Sequence, residues 1–299
     1  MKHKLLLILF AVVILAGWRP QTAFGAQLTQ STALKQQIQI LYERIAQLRQ
    51  QIATIILQRE ISAGSYLVVD AFDNSIILQK DSSKTYPIAS LTKLMNAVVA
   101  TENADLNEQI TLQEKMLKPL GHSPSLFLGL KVSLKNLLKA SLIQSTNDAA
   151  ESLSYSIGHE KFLEAMNQKA KALGMNDTHF DDVHGLSVLN QSSAKDLVKL
   201  VSYIYKTHPE ILSISKDNDF FLPDSTGKLL KFKNVNNFYS LSEFIGGKTG
   251  YLPEAKQSLA SIFNLNEKPV IIVLLYSKNR QTDALKIVNW IKDNKNTSP

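Results

Sequence analysis

Strand-forming runs stand at both ends of the segment from residue 65 to residue 290, and helical patterns fill the stretch between them. At the front, Ser65 to Ala71 and Ser75 to Lys80 flank Phe72-Asp73-Asn74 and read as a hairpin. The C-terminal third offers Asp219 to Leu222, Lys228 to Phe232, Phe244 to Thr249, Gln257 to Asn264 and Val270 to Tyr276, with Gly227 at a tight turn. Helices are predicted over Ser90 to Glu102, from a Ser133 cap to about Leu142, and over Asp148 to Ile157, Glu160 to Leu173, Ser193 to Lys206 and Asp283 to Ile291. Strands drawn from both ends join into one sheet only if the ends come together. The expected class is therefore α/β (α+β): an antiparallel sheet with flanking helices and a helical insert. Gly174 to Ser192 is the longest irregular stretch, the kind that often carries function.

Before this segment the chain reads as an address and a stalk. Lys2 and Lys4 precede an apolar run from Leu5 to Ala16, and Ala23-Phe24-Gly25 offers small residues at a cleavage site. The run is short for a membrane span, which needs ~20 residues. Residues 1–26 are expected to be a signal peptide or an uncleaved membrane anchor, and the rest of the chain to be exported. Residues 27–63 contain no Pro or Gly and read as one amphipathic helix. Leu34, Ile38, Leu41, Ile45, Leu48, Ile52 and Ile55 follow a heptad stripe, so residues 34–55 suit either a coiled-coil homodimer or a helix lying on a membrane or domain. The main domain is expected over residues 64–299.

Composition excludes some chemistry. There is no cysteine, hence no disulfide framework and no thiolate metal site. The formal charge of +7 comes from scattered lysines without a nucleic-acid motif, so no nucleic-acid partner is expected. His179 and His184 flank Asp181 and Asp182, but loop composition accounts for them, and no metal or cofactor is called for.

Three motifs remain. In Ser90-Leu91-Thr92-Lys93 the serine and lysine share a helix face, and a desolvated lysine can take the serine proton. The same spacing at Ser192/Lys195, Ser213/Lys216 and Ser225/Lys228 shows that spacing alone is weak; Ser90 differs in opening a helix that reads as buried. Ser145-Thr146-Asn147 offers a second hydroxyl and an amide, or simply a helix cap. Lys248-Thr249-Gly250, after Gly246-Gly247, offers a cation and a hydroxyl on a strand, or a bulge with a solvated lysine. Their order and wide spacing form the motif set of penicillin-binding proteins and serine β-lactamases.

The runs Ala89 to Met95, Ser145 to Ala150, Gly247 to Tyr251 and Asp182 to Leu186 closely resemble the low-molecular-mass D-alanyl-D-alanine carboxypeptidases, over about Ser65 to Trp290. The resemblance implies a five-stranded antiparallel sheet plus a helical region, with the site in the cleft between. It implies Ser90 as acylated nucleophile, Lys93 as base, and Ser145 and Asn147 as the second pair. Lys248, Thr249, Gly250 and Tyr251 would bind substrate, with a looser match for Arg280 to a carboxylate binder. The backbone N–H groups of Ser90 and Tyr251 would form an oxyanion hole. The implied partners are peptidoglycan stem peptides, with β-lactams as covalent inhibitors. Leu252 to Lys256 departs from the Ala-Gly that often follows in that family. An endopeptidase cutting cross-links with the same residues stays open, as does a non-catalytic wall-binding module. A β-lactamase would require a deacylating carboxylate, and Glu164 with Asn167 falls on a predicted helix.

Overall fold

The computed structural model describes residues 21–294 apart from 120, 122, 124 and 225, and describes no side chains in 21–31. It divides into two units, residues 1–59 and 60–299. Most of the expected signal segment, residues 1–20, lies outside the described residues. Among the described residues no helix is long and apolar enough to cross a membrane.

The first unit is carried by α1 (Gln21–Glu60), 40 residues long. It starts six residues before the predicted helix, 27–63, and stops three residues sooner. Its heptad stripe faces solvent.

The second unit is built on a five-stranded antiparallel sheet in the order β2-β1-β11-β10-β9. Its strands are β1 (Ser65–Asp70), β2 (Ile76–Lys80), β9 (Phe244–Leu252), β10 (Lys256–Leu265) and β11 (Lys268–Ser277). The first and last strands of the unit pair directly, Ser65 opposite Leu275 through Asp70 opposite Val270. β-branched residues run from Val270 to Val273 in β11, and alternate side chains leave on opposite faces. Leu67, Val69, Ile271 and Val273 join the main core on one face. Helix α6 (Ala194–Thr207) packs on that sheet, and α8 (Arg280–Asp293) packs on β10 and β11.

The insert supplies α2 (Thr92–Asn103), α3 (Leu134–Ile143), α4 (Asn147–Ser154) and α5 (His159–Ala172), and α7 (Pro209–Lys216) follows α6. Ser133 caps α3 as expected, its hydroxyl accepting from the Asn136 N–H. Three two-stranded ribbons complete the unit: β3 (Thr85–Pro87) with β6 (Gln191–Ser193), β4 (Gln109–Thr111) with β5 (Lys131–Ser133), and β7 (Phe220–Pro223) with β8 (Leu229–Phe232). Helix α2 is buried over most of its length, from Thr92 to Ala100. It holds the Ser90 turn at the seam between helices and sheet.

Candidate active site

Ser90 does not open α2 directly. It sits in a 3-10 turn, Ala89–Leu91, that leads into the helix and packs on β9. Ala89 has φ +49°, a strained value for a residue with a Cβ. Two elements hold it there. The Ile88 N–H donates to the Asn190 carbonyl (3.0 Å), and Gly185 presses against the Ala89 carbonyl so closely that an added Cβ would lie 2.1 Å from that oxygen.

Lys93 lies in the first turn of α2, which puts its ammonium 3.0 Å from the Ser90 Oγ. The Nζ also donates to Asn147 Oδ1 (2.7 Å) and to the His184 carbonyl (2.5 Å). Those two oxygens can only accept. A neutral Lys93 keeps two N–H bonds, one for each, and its lone pair is left facing the Ser90 hydroxyl. Complete burial pulls the Lys93 pKa from 10.5 to about 7; the charges of Asp182 and Asp148 oppose this without cancelling it. The base form is therefore abundant near neutral pH.

Ser145 lies between α3 and α4, with φ +63°. Its hydroxyl accepts from Lys248 Nζ (2.8 Å), which reaches across from β9 and also donates to the Thr249 carbonyl (3.0 Å). Burial, then the neighbouring Lys93 and Arg280, hold the Lys248 pKa well below its ordinary value. Arg280 is the first residue of α8, and its guanidinium donates to the Gly250 carbonyl (3.0 Å). Thr249 is buried beside Lys248, whereas the Tyr251 side chain is exposed. Two hydroxyls, two lysines, an amide and an arginine thus converge from separate elements. Arg280, and Lys248 once an anion stands beside it, suit a carboxylate, and the Ser90–Lys93 pair suits nucleophilic attack.

The irregular stretch supplies what the motifs did not reveal. The Asp182 carboxylate accepts from the N–H groups of His184 (3.0 Å), Gly185 (2.5 Å) and Ser187 (2.6 Å), and from Asn190 Nδ2 (2.8 Å). That knot fixes the loop whose carbonyl, on His184, meets Lys93. The His184 ring lies 3.3 Å from Asp182 and 3.8 Å from Glu151, and burial lowers its pKa to about 4, so it is neutral at pH 7. Ser215, on α7, accepts from the Gly247 N–H (2.8 Å) and steadies β9. The sequence marks the stretch as irregular and Asp182 to Leu186 as a run that resembles the family, without a role for the Asp182 carboxylate. No group of histidine and carboxylate side chains fit to hold a metal occurs among the described residues. Of the other serine–lysine pairs, Ser192 is taken up by Thr178 (2.7 Å), and Ser225 lies outside the described residues. Glu164 is exposed on α5, accepting from Gln168 (2.9 Å).

Residues 51–279 match the family described as D-alanyl-D-alanine carboxypeptidase (Peptidase_S11). The chain is 34% identical over 261 residues to the D-alanyl-D-alanine endopeptidase of Escherichia coli K12, covering 81% of each. It is 29% identical to the D-alanyl-D-alanine carboxypeptidase of Streptomyces sp. K15, covering 80% of this chain and 90% of that one. Among solved structures it resembles penicillin-binding protein D2 of Listeria monocytogenes in its ampicillin-bound form, with a TM-score of 0.68 and 28% identity, over 77% of this chain and 98% of that one. The chain belongs to the Peptidase_S11 family, and is a serine hydrolase of the low-molecular-mass penicillin-binding class.

Proposed function

We propose that the chain is a serine D-Ala-D-Ala carboxypeptidase that removes the terminal D-alanine from peptidoglycan stem pentapeptides through an acyl-enzyme on Ser90. One observation carries this reading: the lone pair of a neutral Lys93 is left for Ser90 because Asn147 and His184 take its two N–H bonds. Lys93 removes the Ser90 proton as Oγ attacks the carbonyl carbon of the penultimate D-alanine. The N–H groups of Ser90 and Tyr251 hold the oxyanion. The C–N bond then breaks, and the proton returns through Ser145 to the leaving nitrogen. Water hydrolyses the ester with Lys93 again as base, and Ser90 is restored. Lys248, Thr249 and Arg280 hold the terminal carboxylate of the substrate. β-Lactams acylate the same serine.

A second reading is favoured by three relatives, 31–36% identical to this chain, that are named D-alanyl-D-alanine endopeptidases. The same chemistry would then cut a cross-link. The apolar run from Leu5 to Ala16 exports the chain, and either leaves it or tethers it to the cytoplasmic membrane. Incubating the full chain, and Ser90→Ala, with a stem pentapeptide and with a cross-linked stem dimer tests both readings by mass. Loss of one D-alanine from the pentapeptide, absent in the variant, supports the first. Cleavage of the dimer alone supports the second. Neither reaction from folded protein overturns both.

A further inference from the structure

Helix α1 leaves an apolar stripe in solvent that has no part in the reaction. Leu34, Ile38, Leu41, Ile45, Leu48, Ile52 and Ile55 are each 42–61% exposed. A patch this continuous marks an interaction surface, unlike single exposed apolar residues.

The spacing says what shape covers it. The stripe steps four, three, four, three, four, three, a repeat of 3.5 residues. A straight α-helix repeats at 3.6, so such a stripe drifts about 20° per heptad away from any flat surface. A helix wound around it in a left-handed supercoil covers every step. Residue types narrow the choice further. With Ile38 at heptad position a, Ile45 and Ile52 also fall at a, Leu34, Leu41 and Leu48 fall at d, and Ile55 alone puts a β-branched residue at d. β-branched residues at a with leucine at d favour a parallel two-stranded coil over higher oligomers.

The remaining faces argue against lipid. They carry Gln36, Gln37, Gln47, Gln50 and Gln51 beside exposed Ile40, Tyr42 and Ile56, with little of the lysine and arginine of an interfacial helix. Between Leu34 and Ile56 the charged residues are Lys35, Glu43, Arg44 and Arg49. In a parallel, in-register pair, Arg44 at position g of one copy faces Arg49 at position e of the other. Salt screens that repulsion, so the pair tightens as ionic strength rises, whereas a basic helix on an anionic bilayer loosens.

We propose that residues 34–55 of two copies of this chain form a parallel two-stranded coiled coil, so that both catalytic units follow from the same end of the coil. This does not rest on the reaction assigned to Ser90.

The chain has no cysteine, so an introduced one reports alone. In the purified full chain, Ile38→Cys, Ile45→Cys and Ile52→Cys are made singly, with Gln47→Cys as an outward-facing control. Paired a positions bring two Cα atoms within the ~4.4–6.8 Å that a disulfide spans. After mild copper oxidation, covalent dimers are expected at positions 38, 45 and 52, not at 47, with yields that hold or rise at high salt. Bridging near the centre with both ends silent means an antiparallel pair and overturns the proposal. Equal bridging at 47 means unspecific association and overturns it too. No bridging, with flotation on phosphatidylglycerol vesicles at low salt, assigns the stripe to a membrane surface instead. Penicillin labelling of Ser90 in each variant shows separately that the catalytic unit is folded, so failure of this proposal and failure of the catalytic reading are distinct.

Discussion

The pH dependence of acylation tests the role of Lys93 directly. The displacement of its pKa from 10.5 to about 7 corresponds to about 5 kcal/mol set against the charged form, the surplus of burial over the opposing charges of Asp182 and Asp148. The unfolded chain holds this proton up to about 10.5 and the folded chain releases it near 7, so this residue adds stability as pH rises between those values. For catalysis the same displacement sets the share of usable base. With a pKa of about 7, roughly 1% of Lys93 is neutral at pH 5 and roughly 90% at pH 8. The second-order rate of Ser90 acylation by a fluorescent penicillin should therefore rise by nearly two orders of magnitude over that range, with an inflection near 7. Asp148→Asn adds a sign. The Asp148 carboxylate favours the ammonium form, and an amide keeps an oxygen to accept from the Ser123 N–H (2.9 Å). The inflection should then move to lower pH. Stopped-flow acylation across pH measures both effects. A rate that is flat from pH 5 to 8, an inflection near 10, or a rise in the Asp148→Asn inflection would refute the assignment of Lys93 as base.

Three further outcomes are expected. Gly185→Ala should lower acylation at least tenfold and destabilise the fold by about 2 kcal/mol or more in urea unfolding, because the new Cβ meets the Ala89 carbonyl and the site has φ +94°. Arg280→Leu should raise KM about 10- to 100-fold for a peptide with a free terminal carboxylate, and much less for its amide, as loss of a charged hydrogen bond of about 1.5–3 kcal/mol implies. Ser193→Ala removes the hydroxyl that accepts from the Asp196 N–H at the start of α6; it should cost about 1 kcal/mol in thermal unfolding and leave acylation unchanged.

That Ser90/Lys93, Ser145/Asn147 and Lys248/Thr249 come together was legible because their motifs stand in a fixed order. The sheet was legible because β11 is a nearly unbroken run of strand formers, Val270 to Leu275. Other features depend on tertiary contacts that leave little local trace. Helix α7 has eight residues and escaped notice, although Pro209 in its first turn is a start signal. The β3–β6 ribbon joins Thr85–Pro87 to Gln191–Ser193, segments too short to show a period. Helix α8 starts at Arg280, three residues before the predicted Asp283, because the Asn279 side chain accepts from the Thr282 N–H (3.0 Å). Asp182 acts on backbone N–H groups, and no residue pattern tells which loop carboxylate turns inward.

The position of β9 has a bearing on solubility. It is an edge strand, paired only with β10, and an edge is a template on which a foreign strand can grow. Here a helix and the serine turn pack against the strand. At Gly246 the strand runs so close to α7 that an added Cβ would come 2.4 Å from the Leu212 carbonyl, and at Gly250 it runs so close to the serine turn that one would come 2.8 Å from the Ile88 carbonyl. An edge backed by a helix and a turn is one of the devices by which a sheet limits pairing with a foreign strand.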